Sequence, residues 1–173
     1  MSTPSFVDAF SQQFTLDPAH TALLIIDMQN ATGNRHMGLG KLLAEQGNSD
    51  SAQYRFDRID DLLIPNIQKL IAGFRAAGAS IIWITYGANA QDASDAPPHI
   101  APIIKATNNI AGQPEHEVVD ALKPGPNDLV LNKTTQGAFR STGLDSALRA
   151  LGVTTVVSTG VSTNNCVAMT SME

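Results

Sequence analysis

Four short runs in this chain are almost wholly apolar, and each gives way to polar or glycine-bearing sequence: TALLIIDMQN at 21–30, SIIWITY at 80–86, DLVLNK at 128–133 and VTTVVST at 153–159. In the first, no polar residue interrupts the stretch from Ala22 to Ile26. A strand with one face in water alternates polar and apolar side chains, whereas a strand covered on both faces does not. The runs are also too short to pass as ordinary helices. Strands buried on both faces belong to a parallel sheet with helices packed on either side, so the expected fold class is α/β: a Rossmann-like, predominantly parallel sheet flanked by helices.

The segments between the runs fit that alternation unevenly. Ile64, Ile67, Leu70, Ile71 and Phe74 recur at helical spacing within 61–78, with Pro65 near the first turn and Gly78 as a stop. Leu144, Leu148 and Leu151 predict a second core-facing helix over 142–151, and PEHEVVDALKPG at 114–125 a weaker one. The stretch from Ala31 to Asp57 holds too many glycines and polar interruptions for regular structure, apart from a short helix at 39–45. GANAQDASDAPPH after the second run reads as a loop, and Trp83 as a core residue. Residues 1–20 read as an arm ahead of a single domain over 21–173.

Composition narrows the function classes. Eleven Lys and Arg against 16 Asp and Glu give a net charge of -5 with no basic tail, which argues against a nucleic-acid surface. No apolar run is long enough to span a bilayer, and the opening residues lack a secretory pattern, so no membrane association and a cytoplasmic location are expected. Four dispersed histidines give no zinc signature, so neither a metal nor another cofactor is expected.

The single cysteine, Cys166, sits in STGVSTNNC at 158–166, where the last strand gives way to a turn and a helix. A lone cysteine is often a small buried hydrophobe. This one, however, lies beyond a strand's carboxyl end, as do Asp27 and Lys133, and loops there build the ligand site of open α/β sheets. An aspartate to accept the thiol proton and a lysine to lower the thiol pKa would equip Cys166 for nucleophilic attack. The helix following the turn would favour a thiolate near its N-terminus.

Three ordered strings, ALLIIDMQN, LNKTTQGAF with STGLDSALRALGV, and VVSTGVSTNNCV, resemble the isochorismatase-like cysteine hydrolases, in particular their amidase branch. The resemblance implies that Asp27, Lys133 and Cys166 are the catalytic residues. It further implies a cis peptide between Val161 and Ser162, with main-chain donors near Ser162 and Cys166 forming an oxyanion hole. By the same resemblance the expected activity is hydrolysis of a small carboxamide, carbamoyl or ureido-like C–N bond through a thioester-type intermediate, in a homo-oligomer. The domain is expected to lack C-terminal elements in this chain, which ends at SME.

Substrate contacts are assigned to Asn30, Tyr86, Asn89, Phe139 and Asn164, polar or aromatic residues near strand ends. His36 and Asp50 do not assemble the multi-histidine metal set of nicotinamidases, which favours an aliphatic amide or ureido substrate over nicotinamide. Isochorismate cleavage is disfavoured by the cysteine. A non-enzymatic α/β binding module is the alternative of a different class.

Overall fold

The computed structural model describes residues 15–173; the expected arm lies outside the described residues up to position 14. Strands β1 (Thr21–Ile26), β2 (Ser80–Tyr86), β3 (Leu129–Lys133) and β4 (Thr155–Gly160) form a four-stranded sheet in the order β3-β2-β1-β4. All three pairings are parallel, in register from Ile26 to Ile84, from Ile26 to Gly160 and from Tyr86 to Lys133. The expected α/β architecture is therefore present.

The apolar runs are buried on both faces because helices cover both. On one side Leu23, Ile25, Ile81 and Trp83 pack against Ile67 and Ile71 of α4 (Ile64–Ala76). On the other, Ala22, Leu24, Ile26, Ile82 and Ile84 meet Leu144 and Leu148 of α6 (Leu144–Ala150). Trp83 is core, as expected, with its indole N–H donating to Asp128 Oδ2 at 2.8 Å. Leu151 is not core: α6 ends before it, Gly152 turns the chain at φ 66°, and Leu151 is left exposed.

Between β1 and β2 the chain is more helical than its glycines suggest. Short helices α1 (Asn30–Gly33) and α2 (Gly38–Glu45) are followed by α3 (Gln53–Arg58), a π-turn at Ile59–Leu63, and α4. These last three run on as one helical path, so the helix expected at 61–78 begins earlier than its apolar pattern. The π-turn, in which Ile64 N–H donates to Ile59 O, comes immediately before Pro65, which has no N–H to continue the ladder. Arg35 pins α3 and the π-turn to the α1–α2 connection through Asp57 and Asp60.

Helix α5 (Ala101–Ala106) follows the polar loop after β2. The helix expected over 114–125 does not form, apart from a 3₁₀ turn at Asp120–Leu122. The carbonyls of Glu115 and Glu117 instead accept from Ala31 and Asn30 N–H, and Val118 bridges Gln29 in antiparallel fashion. Backbone groups spent on the start of α1 are unavailable for a helix of their own. After β4, a π-turn at Thr163–Val167 leads into the five-residue helix α7 (Ala168–Met172).

Candidate active site

Asp27, Lys133 and Cys166 come together at the carboxyl edge of the sheet. Asp27 follows β1 directly; its N–H continues the ladder to Ile84 O at 2.8 Å while its φ of 54° turns the chain away. Lys133 ends β3 opposite Tyr86. Its side chain is fully buried, donates from Nζ to Asp27 Oδ2 at 3.0 Å, and lies 4.0 Å from the centre of the Tyr86 ring. The ammonium is held between a carboxylate and an aromatic face.

Cys166 reaches the same point from β4. Gly160, at φ 121°, passes so close to β1 that a Cβ there would collide with Ile26 O. Only glycine fits this crossing. Val161 N–H then donates to Ile26 O at 3.0 Å, the peptide from Val161 to Ser162 is cis, and the π-turn presents Cys166. The thiol is buried against Leu24, Ile26 and Ala138, but it also borders a cavity of about 230 Å³ with Asp27, Tyr86, Val161 and Ser162.

The electrostatics differ from those expected of a helix-activated thiolate. Helix α7 begins only after Cys166. Burial, reinforced by the negative charge of Asp27, pushes the Cys166 thiol up to about 12, and Lys133 pulls it down by less. Burial also raises the Asp27 carboxyl, against the opposing charge of Lys133. The net shift favours the thiol of Cys166 over the thiolate. Asp27 Oδ2 is engaged by Lys133, while Oδ1 is buried without a hydrogen-bond partner among the described residues.

The five residues assigned to substrate contacts fall in different places. Tyr86 lines the cavity, its hydroxyl buried and without a partner among the described residues. Asn164 is exposed in an adjoining groove, and its neighbour Asn165 lines the cavity instead. Asn30 is tied to Pro114 O and Asn34, Asn89 to Asp95 and Asn132, and Phe139 packs with the α6 side of the core.

Other cavity residues escaped the sequence reading. Gln29 spans the floor: its Nε2 donates to Tyr86 O and His116 O, and its Oε1 accepts from Tyr86 N–H at 2.7 Å. Asn109 and His116 pack with it at 3.1 Å from each other. Arg55, on α3, also lines the cavity. Gln29 stands two residues past Asp27 in the first motif, where its position relative to the strand end was a usable clue. Arg55 carried none, because its segment reads as irregular.

Comparison with known proteins places this geometry in context. The Isochorismatase domain family matches residues 21–173. The chain is 33% identical to a ureidoacrylate amidohydrolase RutB from Enterobacter sp. (strain 638), over 92% of its own length and 70% of the relative's. It is 34% identical to the protein of that name from Methylobacterium radiotolerans, covering 92% of this chain and 63% of that one. Among solved structures, a cysteine hydrolase from Pseudomonas syringae pv. phaseolicola 1448A superposes with a TM-score of 0.70 at 26% identity, over 98% of this chain and 70% of that one.

Proposed function

Because this chain belongs to the isochorismatase family, we propose that it is a cysteine-dependent amidohydrolase that cleaves a small carboxamide, carbamoyl or ureido-like C–N bond through a thioester-type intermediate. The observation that carries this reading is the position of the Cys166 thiol, in one cavity with a carboxylate whose other oxygen is held by a buried ammonium. The ureidoacrylate amidohydrolases among its relatives favour the ureido class. The cavity, at about 230 Å³, falls below the ~300–1,000 Å³ of pockets for drug-sized ligands and suits a small substrate.

A thiol held at about 12 does not attack as a preformed thiolate at neutral pH. Asp27 therefore takes the Cys166 proton as sulfur bonds to the substrate carbonyl carbon. The carbonyl π pair moves onto oxygen, where the main-chain N–H groups of Ser162 and Cys166 stabilise the developing charge. Collapse of the tetrahedral species expels the nitrogen, which receives the proton from Asp27. Water, deprotonated by the regenerated carboxylate, then attacks the thioester and returns the thiol. Lys133 holds Asp27 in place and balances its charge throughout.

Rapid-quench mass spectrometry with a panel of small carboxamides, carbamoyl and ureido compounds tests this. A covalent acyl adduct on Cys166 is expected from at least one class, with neither adduct nor turnover in Cys166→Ala. Turnover by Cys166→Ala would refute the mechanism.

A further inference from the structure

The charges around the cavity do not cancel. Lys133 Nζ is paired with Asp27 Oδ2 at 3.0 Å, whereas Arg55 lines the same cavity with no ion-pair partner among the described residues. Its contacts are to neutral acceptors: Nε donates to Thr32 O at 3.1 Å and Nη1 to Ser162 Oγ at 2.9 Å. A guanidinium offers five N–H donors in a planar fork, so these bonds leave a face of it unused. No carboxylate lies within ion-pairing distance of Arg55 among the described residues. Arg35 is held by Asp57 and Asp60, and Arg75 by Asp128.

A partly buried cation with no ion-pair partner is costly, and burial pulls the Arg55 pKa below its ordinary value by more than Cys166 and Asp27 raise it. The cost falls when an anion enters. Because the bond to Ser162 fixes the guanidinium beside the turn that presents Cys166, an anion bound there sits in the same cavity as the thiol.

We propose that Arg55 is the specificity-determining residue of this site: it binds a carboxylate carried by the substrate, so that the compound hydrolysed is an anionic amide or ureido acid rather than a neutral amide. This rests on the hydrolase reading above and adds the charge of the substrate to it. The planar fork suits a carboxylate, which can accept two parallel N–H bonds, and a lysine would supply the charge without that geometry. The cavity volume favours a single carboxylate on a short chain.

The test compares 3-ureidopropionate with its methyl ester, which differ in charge while keeping the same ureido group, in the wild-type protein and in Arg55→Met and Arg55→Lys. The wild type is expected to favour the acid by roughly 100-fold in kcat/KM, mostly through KM. Arg55→Met should lose about that factor on the acid and less than about threefold on the ester, with Arg55→Lys between the two. In the Cys166→Ser background, calorimetric titration with 3-ureidopropionate should show binding weakened at least about tenfold by Arg55→Met.

Equal losses on acid and ester would overturn the proposal, since they would mean that Arg55 only props the Ser162 turn or assists the oxyanion. A wild type that hydrolyses the ester as well as the acid would overturn it too, and would leave the hydrolase reading standing. If no member of the panel of carboxamides, carbamoyl and ureido compounds or of this pair acylates Cys166, the hydrolase reading falls and this proposal falls with it.

Discussion

Lys133 Nζ and Asp27 Oδ2 meet at 3.0 Å across two strands that do not adjoin, with β2 between them and both side chains almost closed to solvent. An ion pair this deep holds only while both members are present, because removing one strands the other's charge in a medium that solvates it poorly. Lys133→Met should therefore destabilise the fold by about 3–5 kcal/mol in urea unfolding. Asp27→Asn combined with Lys133→Met should cost less than the sum of the single changes by about 1 kcal/mol or more. Strict additivity would mean that the two groups do not depend on each other.

The thiol gives a second prediction. With one cysteine in the chain, cysteine labelled with carbon-13 reports Cys166 alone. Its Cβ resonance should show no deprotonation through pH 10 in the wild type, in keeping with a value of about 12. Asp27→Asn removes a negative charge that raises the thiol, so the transition should move down, yet stay above the ordinary cysteine range because burial persists. An unfolded chain releases this proton near 9.0, and the folded chain only near 12. Neutral Cys166 thus contributes stability that is complete below pH 9.0 and is lost as pH rises toward 12. Cys166→Ser should lose less stability than wild type over that alkaline interval. A wild-type transition at or below 9 would contradict the buried-thiol description.

How much of this was legible in the sequence follows from which physical signal each part leaves. The sheet could be read because strands covered on both faces must be apolar throughout, as Ala22 to Ile26 are. Strand ends were visible as the polar residues closing those runs, and this placed Asp27 and Lys133. Arg55 and the segment around Val118 were hidden for a different reason. Their conformations are set by partners distant in sequence: Thr32 and Ser162 for the arginine, Gln29 to Ala31 for the extended stretch. Leu151 misled because helical spacing continues through a residue that the turn at Gly152 carries outward. The balance on the thiol was hidden too, because burial, which pushes it up by more than Lys133 pulls it down, leaves no mark in the local sequence.

His116 predicts a weakness on the acid side. It is buried beside Gln29 and Asn109, and burial holds its imidazole below the ordinary value of 6.5, against a smaller opposing effect of Glu117. The unfolded chain then binds the proton more readily than the folded one. The stability contributed by the neutral ring is complete above pH 6.5 and is lost as pH falls toward the lower folded value. Urea midpoints taken between pH 7.5 and 5 should fall more steeply for wild type than for His116→Asn. Parallel slopes would show that the ring accepts its proton in place without penalty.

Gln29 makes the most exacting prediction, because its one side chain satisfies main-chain groups from two separate segments: the N–H and carbonyl of Tyr86 at the end of β2, and the carbonyl of His116 in the stretch before the 3₁₀ turn. Gln29→Leu keeps similar bulk and deletes both functions. Tyr86 N–H would then be buried without its acceptor, a loss that by itself costs about 1–3 kcal/mol. With the carbonyls also released, a total near 3 kcal/mol is expected in urea unfolding. Tyr86 lies against the Lys133 ammonium, so loosening its backbone should also disturb the cavity wall. Turnover should therefore fall in conditions where the variant remains fully folded. If Gln29→Leu unfolds at the wild-type urea midpoint, these bonds hold nothing that water does not replace.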